Sequence, residues 1–162
     1  MRWHQVREAL RLAMMASVLA SSLAVATPAS AQTNVFGGVT AVDVIVESPD
    51  ALDPRCGVTK GGLDAAVRLP LDGSRIAFDK KATDFIYARA TFDIAQGMCF
   101  GFVELEFHRG LYTPDGKTVS GGVWGRDSLI RSPDEEFGLT AYSVIEQYTK
   151  QLIAEWIKGN PR

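Results

Sequence analysis

Between Phe85 and Arg109 the chain alternates apolar and polar residues twice over, FIYARATFDI and then CFGFVELEFHR, with Ala-Gln-Gly-Met between the runs. A period of two sends successive side chains to opposite faces of a strand, and two such runs around a glycine-containing turn define an antiparallel hairpin. With Ala95 facing Met98, Ile94 meets Cys99, Phe92 meets Gly101, Ala90 meets Val103, Ala88 meets Leu105 and Ile86 meets Phe107. Every pair on that face is apolar or small. On the other face Arg89 lies across from Glu104, a favourable pairing of opposite charges. A slip of one residue would mix the two sets, so the pattern itself specifies the register.

The hairpin continues into a third strand. Thr-Pro-Asp-Gly-Lys (113–117) suits a three-residue turn with Gly116 in the left-handed position. Pairing Thr113 with Lys117 then sets Val123 across from Phe107, Trp124 across from Glu106 and Arg126 across from Glu104. Gly121, Gly122 and Gly125 weaken this run, Val119 to Arg126, and predict a bulge within it.

Upstream, the β-branched alternation VTAVDVIVE from Val39 to Glu47 reads as a first strand, which the prolines and aspartates of 48–55 end. Thr59 then stands as a helix N-cap before Leu63, Ala66, Val67 and Leu71, which share one helical face. Pro70 lacks the donor that would reach Ala66, so this helix is expected to be short and to kink or end near Pro70. Gly61-Gly62 has neither of the spacings of a phosphate-binding loop and reads as helix entry. At the C-terminal end Ser132-Pro133-Asp134-Glu135 has the form of a capping box, with a restart near Thr140 expected after Gly138. Ala141, Ile145, Tyr148, Leu152 and Trp156 recur at helical spacing, and Gly159 with Pro161 supplies the stop. The elements run β-α-β-β-β-α. They predict an α+β domain, 39–162, whose four-stranded, mainly antiparallel sheet carries both helices on one face.

The first residues set the compartment. Arg2, Arg7 and Arg11 precede an apolar run from Leu12 to Ala26 and a small-residue site, Ala29-Ser-Ala31, the order of a cleavable secretory signal over 1–31. The run is about fifteen residues, short of the roughly twenty that a membrane-spanning helix requires. No cysteine follows the expected cut to accept a lipid, and residues 32–38 read as a flexible lead-in. Three arginines and one glutamate leave with the signal, so a formal charge of −2 becomes −4. A mildly acidic chain with no basic cluster has no electrostatic footprint for nucleic acid. The reading is a periplasmic or secreted protein with no integral membrane segment once the signal is removed.

Export places Cys56 and Cys99 where two thiols in a small domain pair. Closing that loop of about 44 residues contributes up to roughly 4 kcal/mol. Cys99 and His108 do not form a nucleophile and base, because nine residues of strand separate them by about 30 Å and an odd spacing sends them to opposite faces. With His4 lost, one histidine remains, which excludes a histidine-rich zinc site. No catalytic residue, metal site or cofactor is expected.

The face away from the helices collects Tyr87, Arg89, Phe102, Glu104, Glu106, Trp124 and Arg126 by this register. Two readings fit it. One is an ordinary solvated face of cross-strand pairs. The other is a platform of rings and arginines for an envelope protein or small ligand, since such residues dominate binding hot spots. A hydrolytic use of Glu104 and Glu106, about 6 to 7 Å apart along one strand, is the alternative from a different class.

Gly97-Met98-Cys99, Trp124 and Asn160-Pro161, set in this order of elements, resemble small exported bacterial proteins of unknown function. The layout is also similar in outline to envelope accessory domains such as the lipopolysaccharide-assembly lipoprotein and the N-terminal domain of the Tol-system propeller. Those resemblances imply a binding or accessory role at the cell envelope.

Overall fold

A computed structural model describes residues 34–47 and 54–162. The expected signal segment lies outside the described residues. Asn34–Arg162 form one unit. Its elements are β1 (Ala41–Glu47), a 3-10 turn (Pro54–Cys56), α1 (Lys60–Asp72), β2 (Ala77–Phe78), β3 (Phe85–Ala95), β4 (Met98–Tyr112), β5 (Thr118–Pro133) and α2 (Asp134–Gly159).

The fold is α+β, and its sheet has five strands in the order β2-β1-β3-β4-β5. The four-stranded expectation missed β2, which is two residues long and carries no alternation to detect. β1 pairs in parallel with both β2 and β3, while the longer β3-β4-β5 part is antiparallel. A strand, helix and parallel strand is the arrangement that returns α1 onto the sheet, and α2 joins it on the same face.

The β3–β4 hairpin has the register that alternation specified, from Ala95 facing Met98 to Ile86 facing Phe107. Gln96 and Gly97 both take positive φ, 53° and 71°, as the two-residue hairpin turn matched to strand twist requires. Ile86, Ala88, Ala90, Cys99, Val103, Leu105 and Phe107 are buried on the helix side. At the far end of β4 the Thr113–Lys117 turn closes with Gly116 at φ 79°. There the Thr113 hydroxyl and Lys117 hold the Asp115 carboxyl below its usual range.

Thr59 caps α1, its hydroxyl accepting from the Gly62 amide at 3.0 Å, and Leu63, Ala66, Val67 and Leu71 are buried. The helix ends near Pro70 as expected, at Asp72, with Leu71 buried in the turn after the proline. A beta carbon at Gly62 would lie 2.2 Å from the Tyr142 ring, so this glycine is where α2 crosses α1. The Tyr142 hydroxyl takes the Thr59 amide at 2.7 Å and donates to the Gly57 carbonyl at 2.8 Å.

The expected capping box does not form. Ser132 belongs to β5 and lies buried opposite Cys99, and α2 starts at Asp134 with no side-chain cap. Three acidic residues in its first turn, Asp134, Glu135 and Glu136, complement the helix dipole instead. α2 also passes through Gly138 without a break. That glycine is demanded by packing, since a beta carbon there would sit 2.5 Å from the Gly57 carbonyl oxygen. Ala141, Ile145, Tyr148, Leu152 and Trp156 are buried along α2 as their spacing predicted.

Residues 34–38, read as a flexible lead-in from their polarity, are tied into the core. Phe36 is buried and stacks on Phe107 with ring centroids 5.2 Å apart. Asn160 holds this segment from the other end of the chain, its amide donating to the Phe36 carbonyl at 2.9 Å and accepting from the Gly38 amide at 3.1 Å. Cys56 and Cys99 form a disulfide, both fully buried, which fixes the 3-10 turn to the start of β4.

Candidate functional site

The open face of the sheet is built by strand alternation. Rows of cross-strand neighbours run Phe85–His108, Tyr87–Glu106, Arg89–Glu104–Asp127, Thr91–Phe102–Leu129 and Asp93–Phe100–Arg131. Tyr87, Arg89, Phe102, Glu104 and Glu106 therefore share this face as predicted.

Trp124 and Arg126 do not. Near the turn β5 keeps the expected register, with His108 across from Gly122, but a bulge between Phe107 and His108 makes Trp124 the partner of Phe107 and Arg126 the partner of Leu105. The extra residue is Val123, which together with Trp124 packs on the core. One inserted residue flips every side chain beyond it to the other face. Trp124 thus points to the helix layer, where its indole N–H donates to the Glu155 carboxylate at 2.9 Å. Arg126 stands beside the same carboxylate at 3.5 Å and over the Trp124 ring at 5.1 Å. Their roles are in docking α2 onto β5.

The flip brings Asp127, Leu129 and Arg131 to the open face in their place. All three lie beyond Arg126, where the third strand was expected to end. The signal was the alternation Asp-Ser-Leu-Ile-Arg-Ser, whose register became readable only once the bulge was placed.

The carboxylates of the face are engaged. Arg89 donates to Glu104 at 2.7 Å. Glu106 and the Nε2 of His108 are 2.8 Å apart, with Phe85 stacked on the imidazole at 4.7 Å and Tyr87 edge-on at 6.2 Å. The Nδ1 of His108 is buried with no partner among the described residues. At the other end of the face the side chains are apolar and open: Phe102 is 52 % exposed, Leu129 directly beside it 66 %, and Phe100 39 %. Among the described residues no group of three or more His, Cys, Asp and Glu could hold a metal ion. No described helix is long and apolar enough to cross a membrane.

The molecule is thus of the class in which a helix layer covers one face of a sheet and leaves a face of rings and ion pairs open. No protein-family model and no curated protein matches the sequence. Among solved structures, a PelC dodecamer variant from Paraburkholderia phytofirmans is similar at a TM-score of 0.40 and 13 % identity, over 73 % of this chain and 88 % of that one. Protein XCC0632 from Xanthomonas campestris, of the family DUF330, is similar at a TM-score of 0.38 and 17 % identity, over 76 % of this chain and 86 % of that one.

Proposed function

We propose that this chain is an exported binding or accessory module of the bacterial cell envelope, and that the open sheet face is its binding surface for an envelope protein. The observation that carries the reading is the cluster of Phe100, Phe102 and Leu129, adjacent on one side of the sheet and exposed. Large apolar side chains grouped in this way mark interaction sites, whereas scattered ones do not. The ion pair of Arg89 and Glu104 borders the cluster and supplies the polar rim such surfaces have. The signal-like N-terminus and a buried disulfide support an oxidising compartment. The hydrolytic alternative draws no support from the geometry, since Glu104 is held by Arg89 and Glu106 by His108.

A photo-crosslinking side chain at position 102, compared in cells with one at position 69 on the exposed side of α1, tests the proposal. Position 102 is expected to capture a distinct envelope protein that position 69 does not, and Leu129→Asp is expected to abolish the capture. Equal capture from the two positions, or no adduct with another protein from position 102, rejects the face as the binding surface.

A further inference from the structure

β5 is an edge strand: its one neighbour among the described residues is β4. We propose that a second copy of this chain covers that edge, with two β5 strands pairing antiparallel about a two-fold axis through Leu129 to make one continuous sheet. The proposal concerns the edge and stands whether or not the open face binds another protein.

Charge selects the occupant and the register. On the open face Arg89, Glu104, Glu106 and His108 all have partners, yet among the described residues neither Asp127 nor Arg131 makes a side-chain hydrogen bond or an ion pair. Both lie on β5, two residues to either side of Leu129, whose side chain is 66 % exposed. In a perpendicular two-fold seam the faces of the two sheets are continuous, so residues facing one another must come from the same face. Centring the seam on Leu129 sets Asp127 opposite Arg131 of the copy, and Arg131 opposite its Asp127. The two leucines meet on the axis and extend the apolar strip begun by Phe102 into the other copy. Ser128 meets Ile130 on the helix side.

The other centres from Arg126 to Arg131 fail on the same criterion. An axis at Arg126, Asp127 or Arg131 puts a charge against itself, which is destabilising across strands. An axis at Ser128 or Ile130 puts Leu129 against Asp127 or Arg131. Charged residues on an edge strand ordinarily oppose pairing, and here their spacing makes one self-pairing complementary. The seam closes at Pro133, which has no N–H to donate. The Asp127 carbonyl already accepts from the Tyr148 hydroxyl at 3.0 Å, and its second lone pair remains for the ladder.

Sedimentation of the oxidised full-length protein over a range of concentrations tests the pairing. A monomer–dimer equilibrium weakened by salt is expected. Asp127→Arg and Arg131→Asp should each weaken it by about tenfold or more, and the two together should restore it, because the swapped pairs are complementary again. A second measurement is independent of the charges: Leu129→Cys is expected to give a disulfide-linked dimer on mild oxidation, while Val119→Cys near the hairpin tip is not. A monomer at all concentrations, a dimer indifferent to the single swaps, single losses that the double swap does not recover, or equal cross-linking from the two cysteine positions each overturns the proposal.

Discussion

Four glycines show how one missing beta carbon decides packing. Gly61 and Gly62 are adjacent in the first turn of α1, yet a beta carbon at Gly61 meets nothing within 4 Å while one at Gly62 runs into Tyr142. Gly138 and Gly101 are less able to relax, because what stands in the way is backbone: the Gly57 carbonyl at 2.5 Å and the Thr91 carbonyl at 2.1 Å. Urea unfolding of alanine variants should therefore separate them. Gly61→Ala is expected to stabilise by up to about 1 kcal/mol through helix propensity. Gly62→Ala and Gly138→Ala are expected to destabilise by about 1 to 3 kcal/mol through overpacking. An equal effect at positions 61 and 62 would show that Tyr142 does not pin α1. In the sequence the two residues are indistinguishable, since the difference lies in a tyrosine about eighty positions away.

At the level of elements, long alternating runs were the most legible feature and short or interrupted ones the least. The β3–β4 register followed from pairs such as Phe92 with Gly101 and Arg89 with Glu104, where size and charge match only one alignment. β5 was legible at its start and not beyond Gly122, because a bulge changes the parity of everything after it and three glycines give no preference for where it falls. The same strand end misled the helix start, where Ser132-Pro133-Asp134-Glu135 has cap chemistry but Ser132 is spent on the ladder opposite Cys99. The disulfide fixes that end of β4 to the 3-10 turn beneath α2. Replacing Cys56 and Cys99 together with alanine should lower stability by up to about 4 kcal/mol in urea unfolding, the entropy of opening the loop. Both sulfurs are in the core, so native non-reduced protein should take up no alkylating reagent, as mass spectrometry would show.

For the whole molecule, the two ends of the described unit are closed on each other. Asn160 joins the Phe36 carbonyl, the Gly38 amide and the Trp156 carbonyl through its side chain, Arg75 reaches its backbone carbonyl at 3.2 Å, and the Trp156 indole donates to the Val39 carbonyl at 2.9 Å. Asn160→Ala would remove its three side-chain bonds at once and leave the Gly38 amide without its partner, and is expected to cost about 1 to 3 kcal/mol with a matching fall in the urea midpoint. A midpoint unchanged from the parent protein would mean that water replaces the clasp without loss. In the sequence Asn160 stands out only as part of the Asn160-Pro161 ending. Its reach to residues 36 and 38 depends on a chain path that no local pattern encodes.

The sequence by itself determined the class of fold, the hairpin and its register, the buried stripes of both helices and the pairing of the two cysteines. Those features are set by periodicities of two and 3.6 residues, or by there being a single choice of partner. Only the tertiary structure decided which side of the sheet the end of β5 would show. Val123 enters the ladder as an extra residue where it and Trp124 can both pack on the core and Trp124 can reach Glu155. That competition is between burial on α2 and an unbroken ladder, and it is settled by side chains from three elements together. Its outcome moved Trp124 and Arg126 to the helix side of the sheet and put Asp127, Leu129 and Arg131 on the open face.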